Sequence, residues 1–456
     1  MQKISSRQKL LLERARSKDP DYLAHALYQL VDELDEPLSD EWAALFSENR
    51  EILESMFPDE LFSKIEKRIT SLSPIDKELS KLHIKNDEPV CFLLGAGASA
   101  PAPSSIPTVM NLLPELLARA RKIGRDDIDK LADWCEEHSI QNIEDLLTAA
   151  YVSNFAAKNV RVTELLDYFL FKSEHDEEPR FRTRRRSIPK VDSASIALLQ
   201  DTLQVLFGLL TGRMIPAEPN KGHEAIVEFV KRNQNTSIVT TNYDGCIDEA
   251  LSMQDVATNT FIDYSRGPRD SGTDLIKIHG SINWTYCDSC HDVREFDLLE
   301  QKKAFSNDSF SYAVIGICRN CGGQRRPLLI PPIGLKFIMF PSLISLWNAA
   351  RERIESASYI IVVGYSFSDA DTYINKIVER SMSINSQQKI IVCDPNPALV
   401  DGLRKKYQAR IEGFDERRIL KASGSADELL PEILKIEETT KAPRKKVANK
   451  KVQPTS

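Results

Sequence analysis

The chain has 456 residues, of which 42% are hydrophobic and 28% are charged, and its formal net charge is -7. This length suffices for one large core with one or two accessory modules, and the acidic balance gives no overall attraction for nucleic acids. The first residues lack the apolar stretch of a secretory signal, and no segment has about 18 consecutive apolar residues. We therefore expect a cytoplasmic protein with no membrane span.

Residues 1–80 are predicted to form a helical N-terminal module. Apolar residues between Tyr22 and Leu34 recur at three-to-four spacing, which marks one face of a helix. The apolar residues between Trp42 and Phe57 predict a second helix pair. We expect this module to pack on the main domain, with partner binding or oligomerisation as the alternative.

From Val90 onwards, short apolar segments alternate with helical patterns. This alternation predicts an α/β, Rossmann-like fold with a mostly parallel sheet. About 140 residues separate the first two strands, more than one crossover needs, so we predict an inserted helical module at about 108–220. The predicted strands are Val90–Leu94, Ser237–Thr241, Leu275–Ile278, Tyr359–Val363 and Lys389–Cys393, with Arg418–Lys421 as an edge strand. The helices predicted in the insertion are Leu112–Ile123, Ile143–Tyr151, Thr163–Phe171 and Ile196–Leu210.

Two basic segments lie outside this pattern. The run Arg180–Arg186 falls inside the insertion, and we expect it to form a solvated loop. Contact with nucleic acid or an acidic partner is the alternative, because arginine clusters bind phosphates. The Lys-rich residues 437–456 are predicted to form a disordered tail without a catalytic role.

A glycine loop, Gly95-Ala96-Gly97-Ala98-Ser99, directly follows the first predicted strand. Glycines at such a turn let the backbone approach a pyrophosphate, and the N-terminus of a following helix supplies N–H donors. Ordinary strand-to-helix turns use the same residues, and position 100 is Ala where the dinucleotide-binding pattern has Gly. The loop alone leaves both interpretations open.

Polar residues also follow the other predicted strands. Thr241 ends the second strand, Asn242 and Asp244 follow it, and His279 follows the third. Ligands of open parallel sheets bind outside the carboxyl ends of strands, where Asn can bind a ribose or amide and His can act as a general base. Helix capping by Asn242 and Asp244, and a structural role for His279, are the alternatives. The ends of the last two strands add Gly364, Ser366 and Asp394.

Four of the eight cysteines form two C-x-x-C pairs. Two such pairs supply four thiolates, a set typical of tetrahedral structural zinc with no open catalytic position. We predict a small zinc lobe at about residues 284–328. The other cysteines are scattered, which favours a reducing compartment over a disulfide framework. The predicted zinc ligands are Cys287, Cys290, Cys318 and Cys321.

The order of these motifs resembles that of the sirtuins, and especially the sirtuin-like domains of bacterial anti-phage defence proteins. The resemblance runs from about Val90 to Lys421, through GAGAS, TTNYD, KIHGS, the two C-x-x-C pairs, VVGYS and VCDPNP. It implies a sirtuin-like NAD-binding domain at about residues 85–436. In this family, NAD lies between a Rossmann-like lobe and a zinc lobe.

The resemblance also implies roles for individual residues. His279 would be the base, with Asn242 and Asp244 beside the nicotinamide ribose. The glycine loop would hold the pyrophosphate, and Ser366 and Asp394 the adenosine half, although sirtuins usually have Asn at the latter position. The full set expected to bind the cofactor is Gly95, Ala96, Gly97, Ser99, Thr241, Gly364, Ser366 and Asp394.

Two departures separate the chain from protein-deacylating sirtuins. Their G-I-P-D-F-R stretch is replaced by Ser105-Ile-Pro-Thr-Val-Met110. Their Phe-Gly-Glu stretch is absent, and Pro331-Pro-Ile-Gly334 stands near its place. We therefore predict an NAD hydrolase that releases nicotinamide and ADP-ribose as a regulated effector of anti-phage defence. The alternatives are an NAD-dependent deacylase or ADP-ribosyltransferase, and a non-catalytic NAD or ADP-ribose sensor.

An unregulated NAD hydrolase would poison its own cell. We therefore expect its activity to await an activating protein partner or a phage-derived trigger. The N-terminal helices, the insertion or a homo-oligomer interface would provide this control.

Overall fold

The computed structural model describes most of the chain from Leu79 to Leu434. The described residues are 79, 82–123, 126–149, 198, 208–260, 272–287, 289–298, 302, 317–323, 325–330, 343–368, 371–396 and 398–434. Several predictions lie outside these residues. They are the N-terminal module apart from Leu79, the helix Thr163–Phe171, the basic run Arg180–Arg186, the segment Pro331–Gly334 and the tail at 437–456.

The described residues form ten strands in two sheets. Seven strands make a wholly parallel sheet in the order β10-β9-β8-β1-β2-β4-β3, and three make an antiparallel sheet in the order β6-β5-β7. The parallel sheet confirms the predicted α/β fold. The strands are β1 Val90–Leu94, β2 Thr236–Thr240, β3 Thr258–Asn259, β4 Thr273–Lys277, β5 Gly280–Cys287, β6 Val293–Glu295, β7 Arg325–Leu329, β8 Tyr359–Val363, β9 Lys389–Cys393 and β10 Ile419–Ala422.

Eight helices with defined bounds accompany the strands in the described part of the chain. Residues 143–149 and 208–214 are also helical, so the described parts of the predicted insertion are largely helical. Short 3-10 turns lie at Ala96–Ser99 and Glu416–Arg418. The helices are α1 Val109–Ile123, α2 Asp126–Glu137, α3 Lys221–Arg232, α4 Cys246–Met253, α5 Leu343–Ser356, α6 Thr372–Ile384, α7 Ala398–Arg410 and α8 Ala426–Ile433.

The parallel sheet is covered on both faces, which explains its continuous apolar strands. In β1, Cys91 and Leu93 pack in a core that includes residues of α1, α5, α6 and α7. Phe92 and Leu94 point to the other face and pack in a core with residues of α3, α4 and α8. Alternate side chains of a strand therefore stabilise two separate layers, and β1 lies buried between them.

Among the described helices, none combines the length and the apolar character that crossing a membrane requires.

Candidate functional site

The polar motifs begin at one transverse row of the parallel sheet. Leu94 pairs with Thr240 on one side and with Val363 on the other. Thr240 in turn pairs with Lys277, and Val363 pairs with Cys393. Neighbouring strands lie about 4.8 Å apart, so the residues after this row emerge side by side at the carboxyl edge. Gly95, Thr241, Gly364 and Asp394 come one residue after the row, and His279 comes two residues after it.

The crevice of the sheet lies between β1 and β8. From β1 the sheet extends through β2 and β4 on one side, and through β8, β9 and β10 on the other. Such a reversal of strand order opens a crevice at the carboxyl edge, where ligands of doubly wound folds bind. The glycine loop after β1 and the Gly364 turn after β8 lie at this point of the sheet edge.

The two glycine turns pack backbone to backbone. The N–H of Gly97 donates to the carbonyl of Gly364 over 2.9 Å, and the N–H of Gly95 donates to the carbonyl of Val363 over 3.0 Å. Gly364 has a φ of +59°, and a Cβ placed there would lie 2.4 Å from the Cα of Gly97. Glycine is therefore required at position 364 for the contact between the turns. This requirement is separate from the close approach of a ligand to the glycine loop, which the sequence indicated.

Asn242 holds the glycine loop against β2. Its Nδ2 donates to the carbonyl of Gly95 over 2.9 Å and to the hydroxyl of Ser99 over 3.3 Å. The hydroxyl of the neighbouring Thr241 donates to the carbonyl of Leu94 over 3.3 Å. The amide nitrogen of Asn242 is thus hydrogen-bonded within the protein, and Oδ1 is the acceptor that the side chain can offer a ligand.

Asn220 and His223 also belong to this site, although sequence reasoning missed them. They form a capping box at the start of α3, in which Asn220 Oδ1 accepts from the N–H of His223 and the N–H of Asn220 donates to His223 Nδ1 over 3.2 Å. Asn220 Nδ2 also donates to the carbonyl of Ala98 in the glycine loop over 2.8 Å. An Asn three residues before a His, at the start of a helical pattern, is the signal that could have revealed this cap.

The capping box fixes where His223 carries its proton. Burial lowers the pKa of His223 to about 4, against the opposing charges of Asp244 and Asp248, so its ring is neutral at pH 7. Because Nδ1 accepts a hydrogen bond, the proton is on Nε2, which lies 3.4 Å from the hydroxyl oxygen of Ser99. Ser99 therefore accepts from both His223 and Asn242, and its own proton can be donated to a ligand.

His279 lies beyond β4, in an aromatic surrounding. It is only 2% exposed, and its ring centroid is 6.4 Å from that of Tyr243 and 6.2 Å from that of Trp347. Its Nε2 lies 3.1 Å from Oδ1 of Asp371, a carboxylate at the N-cap of α6. Sequence reasoning missed Asp371, because nothing local distinguishes it from Asp369 in the same segment.

Asp244 is buried and directly precedes Gly245, the N-cap residue of α4. Its Oδ1 accepts from the N–H of Cys246 over 3.0 Å, which fits the capping alternative considered from sequence. Its carbonyl accepts from Nζ of Lys277, which is fully buried and also lies 2.7 Å from Oδ2 of Asp248. The predicted role of Asp244 in stabilising a cation stays a prediction.

The remaining predicted cofactor residues lie along the same edge. Ala96 is half-buried in the 3-10 turn, and Ser366 is exposed after Gly364. Asp394 is half-buried, and its Oδ1 accepts from the N–H of Asn396 over 2.8 Å. Burial raises the pKa of the Asp394 carboxyl above its usual value. The direct contacts among predicted site residues thus join the glycine loop to Asn242 and Gly364.

The two C-x-x-C pairs meet at the antiparallel sheet. The Sγ atoms of Cys287 and Cys321 are 3.5 Å apart, those of Cys290 and Cys318 are 3.6 Å apart, and all four lie within 4.8 Å of one another. A disulfide would require about 2.05 Å, whereas zinc with Zn–S bonds of about 2.3 Å holds its four sulfurs roughly 3.8 Å apart. The cluster therefore fits the predicted zinc ion.

A buried arginine supports the cysteine cluster. Nη1 of Arg325 lies 3.4 Å from the sulfur of Cys318 and donates to Asp292 over 2.7 Å. The arginine also donates to the hydroxyl and the carbonyl of Thr285 on β5. A positive charge beside the thiolates reduces their mutual repulsion, and such surrounding contacts orient metal ligands.

Residues 236–416 match the family model of the SIR2-like domain. This span runs from β2 to just before β10. It contains Asn242, His279 and all four cysteines of the cluster, together with Gly364 and Asp394.

Two curated proteins are similar to this chain. An NAD-dependent protein deacylase, SIR4, of Monosiga brevicollis is 22% identical over 216 residues, which cover 41% of this chain and 60% of the relative. NAD-dependent protein deacylase 2 of Pseudomonas aeruginosa is 25% identical over 222 residues, which cover 48% of this chain and 66% of the relative. The chain thus matches about two thirds or less of the length of either relative.

Solved structures of Sir2 homologues are also similar. A mutant Sir2 homologue in complex with ADP-ribose has 18% identity and a TM-score of 0.41, covering 79% of this chain and 96% of its own. A complex of a Sir2 homologue with NAD has 17% identity and a TM-score of 0.39. The family match and the sequence relatives, with the motifs in their predicted order, lead to one conclusion: residues 236–416 of this chain are similar to the SIR2-like domain.

Proposed function

We propose that this protein is an NAD hydrolase, which breaks the nicotinamide–ribose bond and releases nicotinamide and ADP-ribose. Both curated relatives are named NAD-dependent, which supports NAD as the substrate. The observation that carries the proposal is the alignment of Asn242, the glycine loop and His279 just beyond one row of the sheet. This edge offers hydrogen-bond donors, an amide acceptor and an imidazole to one ligand.

The reaction requires stabilisation of a cation and removal of a proton. Departure of nicotinamide leaves an oxocarbenium-like ribose, and water then adds to the ribose carbon and loses one proton. Asn242 Oδ1 would orient the ribose or the water, and His279 would take the proton from the water or a ribose hydroxyl. The buried carboxylate of Asp244 would stabilise the cation electrostatically, because screening is weak away from bulk solvent.

The segment after the glycine loop supports hydrolysis over transfer to a peptide. It lacks the Asp, Phe and Arg of deacylating sirtuins, and α1 begins directly after Thr108. The Ser104 hydroxyl donates to the carbonyl of Glu218 over 2.6 Å, and Arg213 donates to the carbonyl of Ser105. This segment is therefore fastened to residues that precede α3, and water is the acceptor that we assign to the site.

Zinc would be held by Cys287, Cys290, Cys318 and Cys321 in the small antiparallel sheet. Four thiolates complete its tetrahedral coordination, so the ion would stabilise this lobe and leave the reaction to the crevice residues.

The biological role follows from the resemblance described above. We propose a regulated, NAD-depleting effector of anti-phage defence in the cytoplasm. An activating protein partner or a phage-derived trigger would start it, and the protein would act as a homo-oligomer.

Protein deacylation is the second candidate, because both curated relatives are named protein deacylases. It would use the same oxocarbenium-like ribose, and an acyl-lysine oxygen would add to the ribose carbon in place of water. Nicotinamide release that requires an added acyl-lysine peptide would favour this candidate.

The test is to incubate the purified full chain with NAD, with and without candidate activators, and to quantify nicotinamide and ADP-ribose by chromatography. We expect equal amounts of both products without any peptide. His279→Ala and Asn242→Ala should each reduce the rate about 10²-fold or more. Gly402→Ala, on the exposed side of α7, is the control and should retain the rate. Tight NAD binding without product under any of these conditions would favour the sensor alternative and contradict hydrolysis.

A further inference from the structure

A buried carboxylate lies against the imidazole that we assign as the base. Nε2 of His279 is 3.1 Å from Oδ1 of Asp371, and the side chains are 2% and 8% exposed. The two residues come from different parts of the sheet edge, since His279 follows β4 and Asp371 begins α6. Water screens the carboxylate weakly at this buried contact, so its charge strongly affects the imidazole.

The loop that carries Asp371 is held in place by its own hydrogen bonds. The N–H of Asp371 donates to the carbonyl of Ser368 over 3.0 Å. Nδ2 of Asn375 donates to the same carbonyl over 2.8 Å and to that of Phe367 over 3.3 Å. The hydroxyl of Tyr365 donates to Oδ1 of Asn375 over 3.0 Å. The position of the carboxylate is therefore set by the turn between β8 and α6.

The carboxylate determines which ring nitrogen carries the proton. A bare nitrogen lone pair 3.1 Å from a carboxylate oxygen would be repelled by it, whereas an N–H in that place is attracted. We propose that Asp371 is a positioning residue that keeps the proton of neutral His279 on Nε2, so that Nδ1 takes the proton during NAD cleavage. This inference rests on the proposed function and extends it to a residue outside the recognised motifs.

Two titratable side chains, Asp371 and Tyr243, lie beside the His279 ring, and a third, Tyr365, lies near Asp371. Asp371 comes from α6, Tyr365 from the turn after β8, and Tyr243 from the turn after β2. Burial and the charge of Asp371 raise the pKa of Tyr365 well above its usual value, and Tyr243 donates its proton to the carbonyl of Ile330 over 2.9 Å. Tyr365 is therefore neutral at pH 7, and the hydroxyl of Tyr243 is engaged as a donor.

The first test uses the tautomer of His279 and needs no turnover. Two-bond proton–nitrogen NMR spectra of the full chain labelled with 15N-histidine would be recorded across pH, and His279→Gln would identify the signal among the seven histidines. We expect the Nε2–H form in the wild type. Asp371→Asn should lower the pKa of His279 by about 1 or more, because the adjacent negative charge is lost. An Nδ1–H form in the wild type, or an unchanged pKa in the variant, would overturn the proposal.

The second test uses the pH dependence of NAD cleavage. Asp371→Asn should lower kcat about 10²-fold with little change in KM, and should move the acid limb of kcat/KM to lower pH by about 1 unit. Asp371→Glu should recover part of kcat. The matched control is Asp401→Asn, at an exposed position on α7. It should change neither kcat nor the acid limb of kcat/KM. A variant at Asp371 that keeps the wild-type kcat and acid limb would refute the positioning role.

Complete absence of cleavage in the wild type would instead refute the proposed function, and the NMR result would still decide the role of Asp371.

Discussion

The N–H of Gly97 donates to the carbonyl of Gly364 over 2.9 Å, and this bond joins the turns that follow β1 and β8. Gly364→Ala should disrupt the junction, since its Cβ would lie 2.4 Å from the backbone of Gly97 and its φ is +59°. We expect a loss of about 2–4 kcal/mol in the free energy of unfolding, measured by urea titration.

Gly402→Ala is the matched control for this substitution. Gly402 lies within α7, and a Cβ there would meet nothing within 4 Å. Alanine has the higher helix propensity, so the variant should be more stable by about 0.5–1 kcal/mol. Equal effects of the two substitutions would contradict the backbone packing described here.

His223 should make the protein less stable in mild acid. Its pKa is about 4 when folded and near 6.5 when unfolded, because burial disfavours the charged ring. The free energy of unfolding is at its full value, as far as this histidine affects it, above pH 6.5. It decreases as the pH falls towards 4, since only the unfolded state takes up the proton in that range. By pH 5 the loss should be about 2 kcal/mol. Urea unfolding at pH 7 and pH 5 should show this extra loss in the wild type and not in His223→Gln.

Substitutions at Asp244 separate its capping role from its charge. Asp244→Asn keeps the acceptor for the N–H of Cys246, so it should retain stability to within about 0.5 kcal/mol. Asp244→Ala removes the acceptor from a buried site and should cost about 1–2 kcal/mol. If the charge stabilises the ribose cation, Asp244→Asn should still lower kcat about 10-fold or more. Wild-type kcat in Asp244→Asn would show that the residue serves only as a cap.

The cysteine cluster should bind one zinc ion per chain. Cys318→Ser replaces a buried ligand, so we expect loss of zinc by elemental analysis and a lower melting temperature. Cys135→Ala changes a buried cysteine far along the chain from the cluster and should keep its zinc. Full zinc content in Cys318→Ser would exclude the four-thiolate site.

The main strands were predictable because their residues are apolar on both faces. The predictions for β1, β8 and β9 agree with the structure at both ends, and that for β2 differs by one residue. The prediction for β4 began at Leu275, two residues late, because polar Thr273 and Asp274 join the strand by pairing with β3. Two-residue β3 has no apolar pattern of its own, so nothing in the sequence could have indicated it.

The partners of the site residues were harder to predict than the motifs. The glycine loop, Asn242 and the cysteine pairs each have a local pattern, and the structure brings the members of each group into contact. Asp371 meets His279 only because α6 begins beside the end of β4, although 91 residues lie between them in the sequence. Such a contact depends on the order of the strands in the sheet, which single-sequence patterns do not determine.

The row from Lys277 through Leu94 to Cys393 links the geometry of the proposed site to the arrangement of the two cores. Inserting one residue into any of these strands would carry its terminal motif about 3.3 Å forward and turn its alternate side chains towards the opposite layer. Loops beyond the row can change in length and composition without that cost. Sequence differences between related domains should therefore be concentrated after the strand ends. Loops there could accommodate different acceptor molecules and activators while the spacing of the five strands is retained.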